Sequence, residues 1–395
     1  MTQVPDGLEL THFDETFYKD PYAVYKKLRT LAPVLKNAQS FYGQSWTSSD
    51  YELTKSLLTD KRLSVDPRVI GIRRDPRADN PVTMRDPDMM NLDGDDHKRL
   101  RSLVHKAFTP SSIDTFRETI QRIVDDTLAL IAESSFDVVT TFSKPIPTIV
   151  IAEYIGVDPN HHKQFKAWTD SLLLQGYPMP TEAQWEEIVS ADAELRQYMM
   201  EVVAARRTQR RSDLISRLVE AHEEQDLLSD TEVIDMCCLL IGAGNFTTTD
   251  LISNCLYLAL TQDIDVKETD WSLFVEEALR FDPPAMAVRR FVLEDIEVAG
   301  HKIEKGSVIN LLTGASNHDP AQFENPDVFE ARREDMSHLA FGRGLHHCLG
   351  APLARLEATI ALGSFFKRFP NATLATKKRS RRMDFSGFTS LTVTI

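Results

Sequence analysis

The segment Phe341–Gly350 constrains the fold of this chain more than any other part of it. Its pattern is F-G-x-G-x-H-x-C-L-G, and the residues that follow, 351–366, are patterned as a helix. Gly342, Gly344 and Gly350 allow backbone turns that other residues resist, and they let the main chain approach a flat ligand closely. The sequence therefore predicts a tight loop that runs directly into a helix.

The cysteine of this segment, Cys348, stands just before that helix, where the N-terminal helix dipole favours an anion. A thiolate held by a tight loop is what a haem iron ligated by sulfur requires, and thiolate donation to the iron favours O–O cleavage. Two other interpretations remain open from the residues alone. Cys348 is a small buried hydrophobe, or it forms a zinc site with His346 and His347, although adjacent side chains seldom converge on one metal.

Composition limits the class of protein. The 395 residues are 42% hydrophobic and 26% charged, with a net charge of −14, which is globular and acidic. An acidic chain lacks the cations that phosphates attract, so we predict no nucleic-acid partner. Four cysteines are too few for a disulfide framework and are typical of a cytoplasmic protein. We expect no signal peptide and no membrane anchor, because neither pattern occurs in the sequence.

Helical patterns dominate the chain. They cover 22–31 and most of 97–260, for example 116–131, where apolar residues recur at helical spacing. Residues 66–94 are rich in Arg, Asp, Pro and Met and lack periodicity, which predicts a loop region. Strand-like stretches are short and lie at 41–46, 290–298, 307–312 and 386–395. The predicted fold class is mainly α with a minor β region, and no linker divides the chain.

With these motifs, the sequence resembles the cytochrome P450 superfamily in its soluble bacterial form. The resemblance covers nearly the whole chain and implies one domain, residues 1–395, built as a triangular prism of helices around a buried haem b. Cys348 would be the iron ligand, and Phe341, Gly342 and Gly350 would shape the loop that holds it. Length alone allows two or three domains, so the single domain is an expectation from the resemblance.

Two further groups of residues match family elements. Glu277 and Arg280 share a face of the helical run 271–281, as the family's E-x-x-R pair does, and Arg333 would be the third member of that ion-pair group. The haem propionates would be bound by residues from three parts of the chain: His97, Arg101, Arg290 and His346. Two carboxylates in a largely apolar pocket need charged or hydrogen-bonding partners.

The run Met236–Asp250 resembles the helix that crosses the distal face of the haem in the family. Its predicted catalytic residues are Ala243, Gly244, Thr247 and Thr248: the first two leave room for O2 and substrate, and the threonines handle protons. Phe246 departs from the family pattern, which usually has Asp or Glu at this position. A phenyl ring cannot relay protons, so delivery would use Thr247, Thr248, Asn245 or water, and Asp250, one turn away, would partly substitute.

The resemblance also implies the substrate and the partners. The predicted pocket is apolar and suits a terpenoid, an aromatic or a lipid-like molecule; its residues are Met89, Met90, Leu240, Phe246, Met286, Val288 and Phe388. Four arginines would anchor a substrate carboxylate or are solvated loop charges: Arg68, Arg73, Arg74 and Arg85. Electrons would come from a separate ferredoxin and ferredoxin reductase, and the protein would be a monomer. The ferredoxin would dock on cations near the thiolate loop: Lys98, Arg99, Lys106, Arg343 and Arg355.

The expected activity is that of a monooxygenase that uses O2 to hydroxylate an organic substrate. Two alternatives stay open on the sequence. One is a peroxide-driven oxygenase or an atypical oxidation by the same kind of site, which the Phe246 departure favours. The other is a haem-binding sensor without turnover, which would not need Thr247 or the open Ala243–Gly244 segment.

Overall fold

The computed structural model describes residues 20–37, 44–71, 88–172, 181–225, 228–380 and 384–395, together with Phe17, Leu174 and Arg382. The α-helices of these residues are α1 (Pro21–Leu31), α2 (Tyr51–Leu57), α3 (Gly94–His105), α4 (Pro110–Asp114), α5 (Arg117–Ala129), α6 (Pro145–Ile155), α7 (His162–Leu172), α8 (Glu182–Thr208), α9 (Leu214–Gln225), α10 (Asp230–Thr261), α11 (Trp271–Phe281), α12 (Thr313–Ser316) and α13 (Ala351–Arg368). The strands are β1 (Val34–Lys36), β2 (Ser45–Ser48), β3 (Leu63–Ser64), β4 (Ser135–Asp137), β5 (Val288–Val292), β6 (Ile296–Val298), β7 (His301–Ile303), β8 (Val308–Leu311), β9 (Thr373–Arg379) and β10 (Phe388–Thr394). The prediction of a mainly helical fold with a small β part is confirmed.

The longest described helix, α10, lies in the middle of the largest core cluster. It begins at a capping box in which the Ser229 hydroxyl accepts from the Glu232 N–H (3.2 Å) and the Glu232 carboxylate accepts from the Ser229 N–H (2.7 Å). Helices α6, α8 and α13 pack around it. A helix that is buried on all sides belongs in a core, and residues 248–256 of α10 are buried on every face.

The β part consists of three small sheets. A five-stranded sheet has the order β1-β2-β8-β5-β3, with β2 and β8 parallel and the other neighbours antiparallel. A three-stranded sheet has the order β4-β10-β9, and β6 pairs with β7. The strand-like stretch predicted at 290–298 is in fact two strands in different sheets, because a turn at 293–295 separates β5 from β6. Of the stretch predicted at 41–46, residues 41–43 lie outside the described residues and the strand runs Ser45–Ser48.

Helix α13 follows the glycine loop directly, with Gly350 as its N-cap and a proline in its first turn. It is held on α11 by aromatic stacking: the Trp271 and Phe366 rings are 5.0 Å apart and nearly parallel. The loop, α11 and α10 are thereby fixed relative to one another. Within the described ranges, no helix is both long and apolar enough to cross a membrane.

Candidate active site

The loop that carries Cys348 is closed by backbone hydrogen bonds and needs its glycines. The Cys348 N–H donates to the Phe341 carbonyl (2.9 Å). Gly342 and Gly344 have φ of 66° and 75°, in the left-handed region that favours glycine. A Cβ on Gly344 would also lie 2.9 Å from Thr59 Cγ2. Backbone conformation and close approach therefore both require glycine at 344.

The Cys348 side chain lies deep in the protein and is nevertheless solvent-accessible, whereas Cys237 and Cys255 are buried. Burial raises the pKa of the Cys348 thiol, and the backbone N–H of Gly350 and the Arg101 guanidinium act in the opposite direction. Protein thus surrounds the sulfur closely while leaving it accessible, which is the situation of a side chain on the wall of an internal cavity. This arrangement does not fit the interpretation of Cys348 as an inert core residue.

The two histidines predicted to contact propionates lie side by side with their rings tilted by 37°. The ring centroids of His97 and His346 are 4.2 Å apart, and His346 Nε2 is 3.0 Å from Asp93 Oδ1. His97 is 1% exposed, and its Nδ1 has no hydrogen-bond partner among the described residues. Burial, together with the neighbouring His346 and Arg101, lowers the pKa of His97 to about 4, so its ring is neutral at pH 7.

Two arginines reach the same region. Arg101, on α3, donates to the His347 carbonyl (2.6 Å), which ties α3 to the thiolate loop. Arg290, on β5, is buried and donates only to the neighbouring Arg289 carbonyl (2.8 Å), and no carboxylate among the described residues lies within ion-pair distance. Burial lowers the pKa of Arg290 to about 10, and the charge of Asp93 opposes that shift. A buried guanidinium without a counter-ion is costly unless a ligand supplies one.

These observations test whether the residues fit haem. An accessible thiol at depth suits an axial ligand, and the unpartnered His97 Nδ1 and the Arg290 guanidinium are donors suited to propionate oxygens. Arg101 adds a third donor beside the sulfur. The residues present fit haem b. The zinc alternative lacks support, since His346 is engaged by Asp93 and no ligand cluster of three occurs among the described residues.

Asp93 is a residue of the site that no sequence pattern indicates. Its carboxylate accepts from the Ser64 hydroxyl (2.5 Å) and the Val65 N–H (2.9 Å) as well as from His346. Burial alone would raise the pKa of Asp93, but these hydrogen bonds outweigh burial and lower it to about 2. Asp95 and Asp96 are also aspartates and stand close by in the sequence, so only the tertiary contacts distinguish Asp93.

The structure brings Glu277, Arg280 and Arg333 together in one buried ion group. Arg280 Nε and Nη2 each donate to a Glu277 carboxylate oxygen (2.8 Å), and Arg333 Nε donates to both oxygens (3.2 Å). Arg280 and Arg333 also bond backbone carbonyls in the segment 317–328. The group therefore anchors the chain that leads into the thiolate loop.

The accessible face of α10 carries Ala243 and Thr247. Ala243 is exposed in the middle of a core helix, Thr247 is half-buried, and the Thr247 hydroxyl donates to the Ala243 carbonyl (2.8 Å). Gly244 points elsewhere: a Cβ there would lie 3.2 Å from Ile151 of α6, so close helix packing accounts for this glycine. Thr248 is buried on the packed side.

The acid that could have replaced the family's missing carboxylate, Asp250, is buried and ion-paired with Arg382. Burial raises the pKa of Asp250 to about 7, against the opposing effect of Arg382. Phe246 is half-buried and packs edge-to-face on Phe385, with ring centroids 4.9 Å apart at 88°. Phe385 was missed by sequence reasoning because it comes from a loop 139 positions away, with no local pattern.

The other predicted pocket residues lie in different surroundings. Four are buried in hydrophobic clusters: Met89, Leu240, Met286 and Phe388. Val288 is half-buried, and Met90 is 57% exposed. Substrate contact by these residues stays a prediction. Arg68 bonds Asp66 (2.7 Å), and Arg73, Arg74 and Arg85 lie outside the described residues.

The predicted docking cations divide into two sets. Three of them are ion-paired, namely Lys98 with Asp95, Arg99 with Glu232 and Arg355 with Glu276. Arg343 and Lys106 are exposed and carry no ion pair in the part of the chain that the structure describes. The cations available to a partner near the thiolate loop are therefore chiefly these two.

The chain is similar to known proteins over nearly its whole length. The family model described as Cytochrome P450 matches residues 46–269 and 272–394. Cytochrome P450 107B1 of Saccharopolyspora erythraea is 36% identical over 397 residues, which is 97% of this chain and 95% of that protein. The 6-deoxyerythronolide B hydroxylase of the same organism is 33% identical over 389 residues, 95% and 93% of the two chains.

Among solved structures, P450BioI in complex with hexadec-9Z-enoic acid ligated acyl carrier protein has a TM-score of 0.88 and 32% identity. The match covers 97% of this chain and 100% of that one. Fold, cysteine loop and relatives agree on haem as the cofactor and on cytochrome P450 monooxygenase chemistry. The chain belongs to the cytochrome P450 family.

Proposed function

We propose that this cytochrome P450 hydroxylates a small to medium apolar molecule, a terpenoid, an aromatic or a lipid-like compound. The observation that carries the substrate class is the open face of α10, where Ala243, Phe246 and the Phe385 ring packed on Phe246 are apolar and Thr247 supplies a hydroxyl. The similarity to P450BioI, whose complex contains hexadec-9Z-enoic acid ligated to acyl carrier protein, supports a lipid-like substrate. Apolar walls with few placed polar groups are typical of sites for such ligands.

When bound, haem b supplies the oxidising chemistry, and the protein supplies orientation, water exclusion and protons. The Cys348 sulfur would hold the haem iron, and His97, Arg101 and Arg290 would hold the propionates. The Thr247 hydroxyl donates a hydrogen bond to the Ala243 carbonyl, so its lone pairs remain free to accept one from water. When the O–H turns from that carbonyl toward the open side of α10, Thr247 Oγ1 can pass on a proton while it takes another from the water.

The first experiment is the carbon monoxide difference spectrum of the reduced protein, with Cys348→Ser beside the wild type. The characteristic Soret band of the family should appear in the wild type and be lost in the variant. A wild type without that band would overturn haem-thiolate ligation. Screening apolar compounds for a Soret shift, and then for product formation with reductant, tests the substrate class; only polar compounds giving shifts would contradict it.

We further propose that electrons arrive from a separate ferredoxin and its reductase, which dock near the thiolate loop on a monomeric, single-domain, cytoplasmic enzyme. The exposed cations Arg343 and Lys106 support docking of an acidic electron donor. Charges at the edge of an interface chiefly raise the association rate of the two proteins. Arg343→Gln should slow ferredoxin-supported reduction at low salt, and high salt should remove the difference. Lys305→Gln, an exposed cation on the β7–β8 turn, is the control. Equal rates for Arg343→Gln and the control at low salt would contradict this site.

A second candidate is a peroxide-driven oxygenase, which Phe246 specifically favours. The position that usually holds an acid carries a ring, and the nearby Asp250 is committed to Arg382. Hydrogen peroxide already brings the protons and electrons that O2 requires. Turnover supported by peroxide that equals or exceeds turnover with O2, ferredoxin and reductase would favour this candidate; the opposite ratio favours the ferredoxin-dependent enzyme.

A further inference from the structure

A buried ion pair lies one turn beyond Thr247 on α10. Asp250 is 3% exposed, and Arg382 Nη2 donates to its Oδ2. Arg382 is 8% exposed, and its Nε also donates to the Ser380 hydroxyl (2.9 Å). Gly387 packs so close that a Cβ there would lie 2.0 Å from Asp250 Oδ1. The carboxylate is therefore held tightly, with its partner fixed from a second side.

The cation of this pair rests on the two rings that border the open face of α10. The Arg382 guanidinium carbon is 6.0 Å from the Phe246 ring centroid and 5.8 Å from the Phe385 centroid. Both distances are within the range of a cation–π contact, which is stronger when the cation is desolvated. One guanidinium thus contacts a carboxylate and both members of an edge-to-face ring pair.

The backbone on either side of Phe385 is anchored independently of these rings. The Met286 N–H donates to the Asp384 carbonyl and the Ser386 N–H to the Pro284 carbonyl, both at 2.8 Å. Asn254 Nδ2 of α10 donates to the Ser386 carbonyl (3.3 Å). These bonds fix the main chain, and the ring positions depend further on what the rings touch.

We propose that Asp250 is a positioning residue that acts through Arg382 to fix the Phe246–Phe385 ring pair as a specificity-determining wall beside Thr247. This inference rests on the proposed apolar pocket and deepens it, because the wall favours a substrate with an aromatic or similarly flat apolar group. The side chain at 246 then serves substrate selection, where the family pattern has an acid for proton delivery.

The position of the Phe246–Phe385 ring pair should also depend on pH. The charged groups that act on Asp250 are Arg382, Asp282 and Arg379, and burial raises the pKa of Asp250 to about 7 despite the cations. Above that pH the carboxylate attracts Arg382 fully. Below it, the protonated carboxyl attracts the cation less, so the rings are held less firmly.

The test compares two neutral ligands of the haem iron, pyridine and 4-phenylpyridine, by Soret shift on the ferric holoenzyme. Pyridine binds through the iron alone, whereas the phenyl group of 4-phenylpyridine also contacts the Phe246–Phe385 ring pair. Asp250→Asn should reduce the preference for 4-phenylpyridine about fivefold, the size of one edge-to-face aromatic contact. Phe246→Leu should do the same, and the double variant should show no further loss, because the two changes remove one contact.

In the wild type the preference should fall as pH is lowered through about 7, and in Asp250→Asn it should not change. Arg382→Lys, which keeps the charge but loses the flat surface, is the second variant and should also lose preference. Asp213→Asn is the matched control, since it breaks a similarly buried pair with Arg206 (2.7 Å) away from the rings.

An unchanged preference in both Asp250→Asn and Arg382→Lys, or additive losses in the double variant, would overturn the proposal. Loss of preference in Asp213→Asn would also overturn it, because any buried pair would then have the same effect. Failure of both pyridines to bind the wild-type haem would count against the proposed active site, and is therefore distinct from failure of the wall.

Discussion

Replacing Glu277 by Gln should destabilise the protein far more than replacing any surface acid. Glu277 and Arg280 are 0% exposed and Arg333 is 8% exposed, so Gln would leave the Arg280 guanidinium without a counter-ion and Arg333 with only the half-exposed Glu330 carboxylate at 3.7 Å. Breaking a buried ion pair by removing one partner costs about 3–5 kcal/mol. At about 2.1 cal/mol/K per residue over 395 residues, a loss of about 4 kcal/mol lowers Tm by about 5 °C.

The assay is urea and thermal unfolding of the holoenzyme, with haem retention followed in parallel. Asp114→Asn is the control, because the Asp114–Arg117 pair (2.8 Å) is exposed and such pairs contribute about 0–1 kcal/mol. Haem should be lost at lower denaturant in Glu277→Gln, since the ion group anchors the chain leading to the loop. A loss of unfolding free energy below about 1 kcal/mol, equal to that of the control, would show that burial does not make the Glu277 ion group important for stability.

Three further predictions follow from particular contacts. Thr247→Ala should lower the amount of product formed per NAD(P)H consumed. The control is Thr261→Ala, since the Thr261 hydroxyl makes a similar hydrogen bond within its own helix (2.7 Å). Equal product yields in the two variants would show that Thr247 has no role in proton delivery. Gly344→Ala should cost about 1–3 kcal/mol in urea unfolding, because φ is 75° and the new Cβ would meet Thr59. Burial raises the pKa of Glu357 well above its usual range, so the wild type binds an extra proton when folded and should lose stability as pH rises above about 4; Glu357→Gln should lose less over the same pH range.

Features set by neighbours in the sequence could be predicted from it. The thiolate loop follows from glycines at fixed spacing, and the Glu277–Arg280 pair follows from two residues three apart on one helix. Arg333, His97, Arg101 and Arg290 were placed by family resemblance, and the structure brings Arg333 onto Glu277 and Arg101 onto the loop. These elements depend on local geometry or on an order along the chain that many proteins share.

The direction of a side chain within a segment could not be predicted so well. Met286 packs beside Gly314, and Phe388 packs against Tyr257 with 5.0 Å between ring centroids; no local pattern indicates these contacts, and substrate contact by the two residues stays a prediction. Likewise, the sequence shows that Arg99 and Arg355 are cations but not that carboxylates from other helices pair with them. Neighbouring positions in extended backbone face opposite ways, so a small change in register decides which one meets a ligand.

The sequence by itself determined the helical class, the cysteine loop and the family, because these rest on periodicity, glycine conformation and motif order. Only the tertiary structure decided what surrounds Phe246, which stands where the family pattern has an acid. It brings Arg382 and Phe385, more than 130 positions along the chain, onto Phe246 and Asp250. Such contacts arise from the packing of a hairpin loop on a helix, where the energy depends on distance and desolvation rather than on sequence spacing.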